Sequence, residues 1–259
     1  MGRLINLEFK RAFKSRDFYI GLIITMILML IAIYPYINWQ DEQSYDYVIA
    51  WFRGIGMGKA YIALFFPILV SIPYSSMLAV EKKYNYFKYI LLRTDRNKYL
   101  ISKGIVNSIY GGLVLFIPSI ILLIICISIF PNPSYFLENQ LNFDDPFSII
   151  LKFNPILYIF INSLWMFFQG MIWSTVCYSI SLICKNILVI TVVPFLYSIL
   201  SNFLLAIMNL ASLTPPSSFA PYLMSNTTIF TMMFQPTILI LFIFCIIIYY
   251  TKSGVEKYD

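Results

Sequence analysis

Side chains able to do chemistry are few in this chain and widely spaced. It contains no histidine, which removes imidazole metal ligands, imidazole general bases and Ser-His triads. The adjacent acids Asp144-Asp145, in the run NFDDPF, could hold a divalent cation against a lipid phosphate. Such transferase sites need several carboxylates, and Asp144-Asp145 have no third acid beside them. An acidic surface turn ahead of Pro146 is the plainer expectation. No G-x-x-x-x-G-K-[ST] run is present to bind nucleotide. Cys126, Cys177, Cys184 and Cys245 stand apart in or beside apolar runs with no C-x-x-C spacing, as buried free thiols would.

Two patterns remain. Residues 81 to 103, EKKYNYFKYILLRTDRNKYLISK, carry seven Lys or Arg between two strongly apolar segments. Lys82, Asn85 and Lys88 recur every three residues, while Phe87, Ile90 and Leu91 make an apolar surface too large to leave in water. Glu81 is the lone acid beside Lys82, Lys83 and the basic N-terminal segment, so it is expected to pair with Lys10, Arg11 or Lys14. The other pattern is Asn162, Trp165, Gln169 and Trp173, at i, i+3, i+7 and i+11. That stripe of two amides and two indoles suits either a path for an amphipathic substrate or helix packing through interhelical amide hydrogen bonds.

The elements that must position these residues are apolar. Hydrophobic residues make up 60% of the 259 positions, charged ones 12%, and the mean hydropathy is +0.79. Six segments, near 18–38, 60–80, 104–130, 155–183, 187–209 and 236–251, approach or exceed the roughly 20 residues that cross a hydrocarbon core. The last is short and is expected to start earlier. The first is too long and is followed by bulky YPYINW, unlike a cleaved signal. Fifteen of the eighteen Lys and Arg fall on one side: Arg3 to Arg16, the seven in 81–103, Lys185, Lys252 and Lys257. Arg53, Lys59 and Lys152 fall on the other, so both termini and the 81–103 loop are expected in the cytoplasm.

Residues 3–16 place Ile5, Phe9, Ala12 and Phe13 on one helical face and Glu8, Arg11 and Ser15 on another. Either an amphipathic helix on the inner membrane surface or a basic flank that orients the first span fits that pattern. Residues 39–58 and 131–153 read as short external loops with Asp41, Glu42, Asp46, Glu138, Asp144 and Asp145. No charge occurs from Asn186 to Thr251, and the Pro- and Ser-rich stretch 211–236 is suited either to re-entering the membrane under protein cover or to an external loop. Pro67, Pro73, Pro118 and Pro194 permit kinks. No Asp, Glu, Lys or Arg lies deep in any span, which argues against proton- or ion-coupled transport. No filter-like sequence or ring of pore charges supports a channel. Energy for uphill movement would then have to come from another polypeptide.

With these features, the loop resembles the first cytoplasmic loop of type-2 ATP-binding-cassette (ABC) exporter permeases. Glu81 matches the family's acid at a span end, Phe87 to Leu92 its short apolar helix, and Arg96 its basic turn. Tyr99-Leu100 matches the aromatic-apolar pair and Lys103 the closing base. The family's Gly-Thr is replaced by Asn85-Tyr86, and Asn best substitutes for Gly at unusual backbone angles. The segment LEFKRAFKSRDFYI is similar to the family's elbow helix. The resemblance implies a half-transporter whose loop is a coupling helix docked on a separate ATPase, with Glu81, Asn85, Phe87, Lys88, Ile90, Leu91, Arg93 and Arg96 as coupling residues.

The expectation is therefore an all-α integral membrane protein with an elbow helix (1–17), a six-span domain (18–251) and a cytoplasmic tail (252–259). It would sit in the cell membrane, bacterial by the resemblance, and export an amphipathic peptide, lipid-like molecule or drug. Expected partners are ABC ATPase subunits, a second six-span subunit, identical or related, and membrane lipids, with no nucleic acid. No catalytic residue, metal or cofactor is expected in this chain, ATP and Mg belonging to the partner. The other reading is a non-transporting anchor or sensor that binds a cytoplasmic partner through the basic loop.

Overall fold

In a computed structural model of the chain, the described residues are 1–37, 46–56, 61–130, 145–223 and 227–252. Asp41, Glu42, Lys59, Glu138, Asp144 and the tail beyond Lys252 lie outside them. The described residues form helices and turns with no strand. In chain order they are α1 (Gly2–Phe13), α2 (Arg16–Ile37), α3 (Tyr47–Ile55), α4 (Tyr61–Ser71), α5 (Met77–Lys83) and α6 (Tyr86–Leu91). There follow α7 (Arg96–Ile129), α8 (Ser148–Phe153), α9 (Pro155–Ile183), α10 (Ile187–Ile207), α11 (Pro215–Phe219) and α12 (Ile229–Lys252).

Five of these, α2, α7, α9, α10 and α12, are long and apolar enough to cross a membrane. Their outer faces carry large exposed aliphatics such as Ile23, Ile27, Leu188, Leu200 and Leu241, a surface that hydrocarbon covers and water does not. The chain is an all-α, multi-pass membrane protein. The segment near 60–80 differs from the others because it is broken, with turns over residues 72–76 between α4 and α5. Pro73 lies in the break and supplies no N–H, and its carbonyl accepts Ser15 Oγ at 3.5 Å instead of a helical partner. Helices α4, α7 and α10 run on through Pro67, Pro118 and Pro194. The last long helix starts at Ile229, seven residues before the apolar run near 236.

Local sequence sets several helix ends. The Asn154 side chain accepts Leu157 N at 3.1 Å with Pro155 opening α9, and Asn186 accepts Leu188 N at 3.0 Å at the start of α10. Asp46 caps α3 by accepting Val48 N at 2.7 Å.

The centre is the antiparallel pair α7 and α9, brought into backbone contact by small residues. A Cβ on Gly111 would fall 2.2 Å from Ser174 Cβ, and one on Gly170 would fall 2.8 Å from the Gly111 carbonyl oxygen. Asn107 Nδ2 donates to Ser174 O at 2.8 Å, Ser75 Oγ donates to Asn107 Oδ1 at 3.0 Å, and Ser119 and Ser163 hydroxyls pair at 2.7 Å. These bonds satisfy polar groups that neither lipid nor core could.

Two further segments, one within the expected 39–58 external loop and one within the 211–236 stretch read as either re-entrant or external, fold into the half of this core away from the 81–103 loop. Helix α3, within the expected 39–58 loop, is buried almost throughout, with Trp51 Nε1 donating to Ser119 O at 3.1 Å. Its Phe52 ring lies 4.4 Å from Tyr222. Helix α11 is buried as well, and Phe219 stacks on Phe66 at 4.4 Å. Aromatic content explains both: short helices carrying Trp and Phe gain more from the core than from solvent. Asp145, expected in a surface turn, is also buried, accepting Tyr158 OH at 2.8 Å and Phe147 N at 3.2 Å. Cys126 and Cys177 are buried thiols, whereas Cys184 is half-buried and Cys245 lies on the exposed face of α12.

Candidate functional site

The break at 72–76 sets α5 beneath α4 and brings Tyr74 and Glu81 toward α1 and the first turns of α7. Glu81, 4% exposed, collects three donors: Lys103 Nζ at 2.5 Å, Tyr99 OH at 2.7 Å and Arg11 Nη2 at 3.4 Å. Arg11 also pairs with Glu8 at 3.0 Å, and the Glu8 carboxylate accepts Tyr74 OH. Lys103 is fully buried, its ammonium 5.4 Å and 5.3 Å from the Tyr74 and Tyr99 ring centres, and it donates to Tyr99 OH at 3.1 Å. Two carboxylates, two cations and two phenols thus share one site joining α1, α5 and α7. Tyr99 and Lys103 reach the same carboxylate because they stand four residues apart on α7.

Burial alone would lower the Arg11 pKa, but the charges around it, Glu8 first and Glu81 among them, reverse this and hold it above the ordinary arginine value. It remains cationic at any working pH. Lys10 and Lys14, the other partners the sequence offers Glu81, are exposed on the far side of α1. The buried side of α1 is Glu8 and Ala12, with Ile5 and Phe9 packed beside them, while Phe13 points out. Periodicity alone put Glu8 on the wet face.

The 81–103 loop is held by a second cluster. Asn85 has φ 59°, in the left-handed region where Asn is tolerated, and turns the chain from α5 into α6. Phe87, read from sequence as part of an outward patch, is 4% exposed and packs with Leu78, Tyr99, Tyr178, Leu182 and Tyr250; Ile90 and Leu91 lean on the same cluster. Lys82 Nζ donates to Leu182 O at 2.6 Å, in the last turn of α9 where unpaired carbonyls and the helix dipole favour a cation. It also lies 5.8 Å from the Phe87 ring centre and 5.2 Å from that of Tyr250. Arg96 covers Tyr250 at 4.9 Å and donates to its hydroxyl. The loop is therefore fastened to the ends of α9 and α12.

What the loop turns outward is Tyr84, Tyr86, Tyr89 and Leu92, with Lys83, Lys88 and Arg93 exposed among them. Leu92 is 82% exposed. At the loop's far end Asp95 pairs with Lys98, and that bond holds the Asp95 carboxyl below its usual range.

The stripe on α9 meets α11. Trp165 Nε1 donates to Ser218 O at 2.8 Å, and Gln169 Nε2 donates to Ser218 Oγ at 3.0 Å and to Ser218 O at 3.3 Å. Ser218 Oγ donates to Met232 O at 2.6 Å. Asn162 Nδ2 donates to Tyr158 O at 3.1 Å, while its buried Oδ1 has no partner among the described residues. Trp173 packs edge-on to Phe66 and borders an apolar cavity of about 230 Å³ with Val176, Ile180, Pro194, Tyr197 and Leu239. Trp165 and Gln169 thus hold α11, and Trp173 borders the cavity.

The residues that sequence reading passed over are Glu8, Tyr74, Tyr99 and Lys103 as members of one ionic site. The Tyr99 to Lys103 spacing carried part of that signal. Compared with protein families, characterised proteins and solved structures, the chain matches none. The fold defines a multi-pass helical membrane protein with a basic loop fastened to its helix ends.

Proposed function

We propose that the chain is the membrane subunit of an ABC exporter, with six spans, both termini in the cytoplasm and the broken α4–α5 segment serving as the second span. The observation that carries this reading is the α5–α6 loop, tied on its inner side to four helices and bearing three tyrosines and a leucine on its outer side. A loop that only balanced membrane charge would need neither anchoring nor exposed aromatics. Fixed this way, it can pass a push from a partner into α1, α7, α9 and α12 together. The partner is a separate ATPase chain, which binds ATP and Mg; a second six-span subunit completes the path.

Charge-free helices suit an amphipathic cargo such as a peptide, a lipid-like molecule or a drug, carried outward, with peptide export or self-protection as the role. The test is hydrolysis by the complex purified from its own cells. Cargo-stimulated ATP hydrolysis in reconstituted vesicles supports an exporter. A bound ATPase that no amphipathic cargo stimulates, with no movement of cargo, supports a non-transporting anchor or sensor.

A further inference from the structure

The side of α1 that faces away from Glu81 has a different design. Phe9 and Phe13 form one row spaced by four residues, and Lys10 and Lys14 form a second row beside it. With Tyr110 of α7 they line a groove of about 250 Å³. The Phe9 and Tyr110 ring centres lie 5.8 Å apart, and Tyr110 OH donates to Phe9 O at 3.0 Å, which turns the phenol's polar end into the protein and leaves its ring to the groove. Both lysines are exposed. Among the described residues neither makes an ion pair or a side-chain hydrogen bond: Glu8 is taken by Arg11 and Tyr74, and Asp17, exposed at the start of α2, pairs with neither. Like charges one helical turn apart repel, so an anion held between them relieves a strain that the protein itself leaves in place.

We propose that this groove binds an anionic phospholipid of the cytoplasmic leaflet. The Lys10 and Lys14 ammonium groups hold the headgroup phosphate, and Phe9, Phe13 and Tyr110 take the upper part of an acyl chain. A free phosphate would satisfy the lysines and leave the aromatic walls wet. A zwitterionic lipid would bring its own cation against the lysines. Only a lipid with net negative charge meets both rows, and a basic helix beside the entry of α2 and α7 stands where such headgroups collect. The leaflet rests on the orientation given under Proposed function; the chemistry of the groove does not.

Thermal melting in uncharged detergent, followed by tryptophan fluorescence during titration with dioleoylphosphatidylglycerol, tests the site. The lipid should raise the melting temperature saturably, where dioleoylphosphatidylcholine does not. The double variant Lys10→Gln/Lys14→Gln should melt like wild type without lipid and need about 30-fold more phosphatidylglycerol for the same rise. Lys83→Gln/Lys88→Gln, on the other basic surface, should respond as wild type. Equal responses to the two lipids, or an unchanged response in the Lys10/Lys14 variant, would overturn the site. A rise reproduced by glycerol phosphate would overturn the lipid in favour of a small anion. No ATPase and no sealed membrane enters the experiment, so its failure is separate from failure of the exporter reading.

Discussion

Lys103 Nζ lies 2.5 Å from Glu81 Oε2 with both side chains out of solvent, which joins α5, the helix before α6, to α7, the helix after it. Removing one member of a buried pair strands the other charge, at about 3 to 5 kcal/mol. Glu81→Gln and Lys103→Met should each lower the melting temperature strongly. Glu81→Gln with Lys103→Met should recover much of the loss, because no charge is left alone. The double-mutant cycle in detergent is the measurement; additive losses would mean the pair is not coupled.

The inner and outer faces of α6 should behave differently. Phe87→Ser opens a buried cluster and is expected to reduce stability by roughly 3 to 5 kcal/mol, as large-to-small core changes do. Tyr86→Ser with Tyr89→Ser alters only exposed rings and should leave melting within about 0.5 kcal/mol of wild type. That double variant should still lose co-purifying ATPase. Retention of the ATPase at wild-type levels would remove these tyrosines from the docking surface.

On α9, Gln169→Leu removes both bonds to Ser218 and should lower stability by about 0.6 to 1.7 kcal/mol, the range for hydrogen bonds between membrane helices. Trp173→Ala enlarges a cavity that already exists. If cargo passes there, this change should cut cargo-stimulated hydrolysis while basal hydrolysis persists. Parallel loss of basal hydrolysis and of melting temperature would mark Trp173 as packing alone.

Burial raises the Asp145 carboxyl above its usual value, against the hydrogen bonds from Tyr158 and Phe147 that act to lower it. Its folded form therefore favours the proton. The associated stability is full below the unfolded value of 3.8 and declines as pH rises through the folded one. Relative to wild type, Asp145→Asn should become progressively more stable on going from pH 4 to pH 7. Parallel melting curves across that range would show the carboxyl to be solvated.

Much of the architecture is legible in the residues, because long charge-free apolar runs leave a chain little choice but membrane helices. Glu81 shows itself by being an acid among bases. Lys103 does not, since a Lys closing a basic loop looks the same in sequence whether it is solvated or buried. Phe87 is similar: spacing places it on an apolar face but cannot tell a face that seeks a partner from one already covered by Tyr178 and Tyr250. Helix α3 escapes sequence reading, and the α11 stretch stays open between re-entry and an external loop, for a related reason. Each is too short to signal itself by periodicity, and its aromatic anchors find their partners, Ser119, Tyr222 and Phe66, far along the chain.

The central claim is that the outer face of α6 touches an ATPase, and contact at Tyr89 measures it most directly. A photo-crosslinking amino acid placed there in the intact protein, in membranes of its own cells, is irradiated and the adduct identified. The expected product joins this chain to a protein that binds and hydrolyses ATP, with no such product from position 200 on the apolar face of α10. Crosslinking from position 89 only to lipid, or to a protein without ATPase activity, would contradict the account.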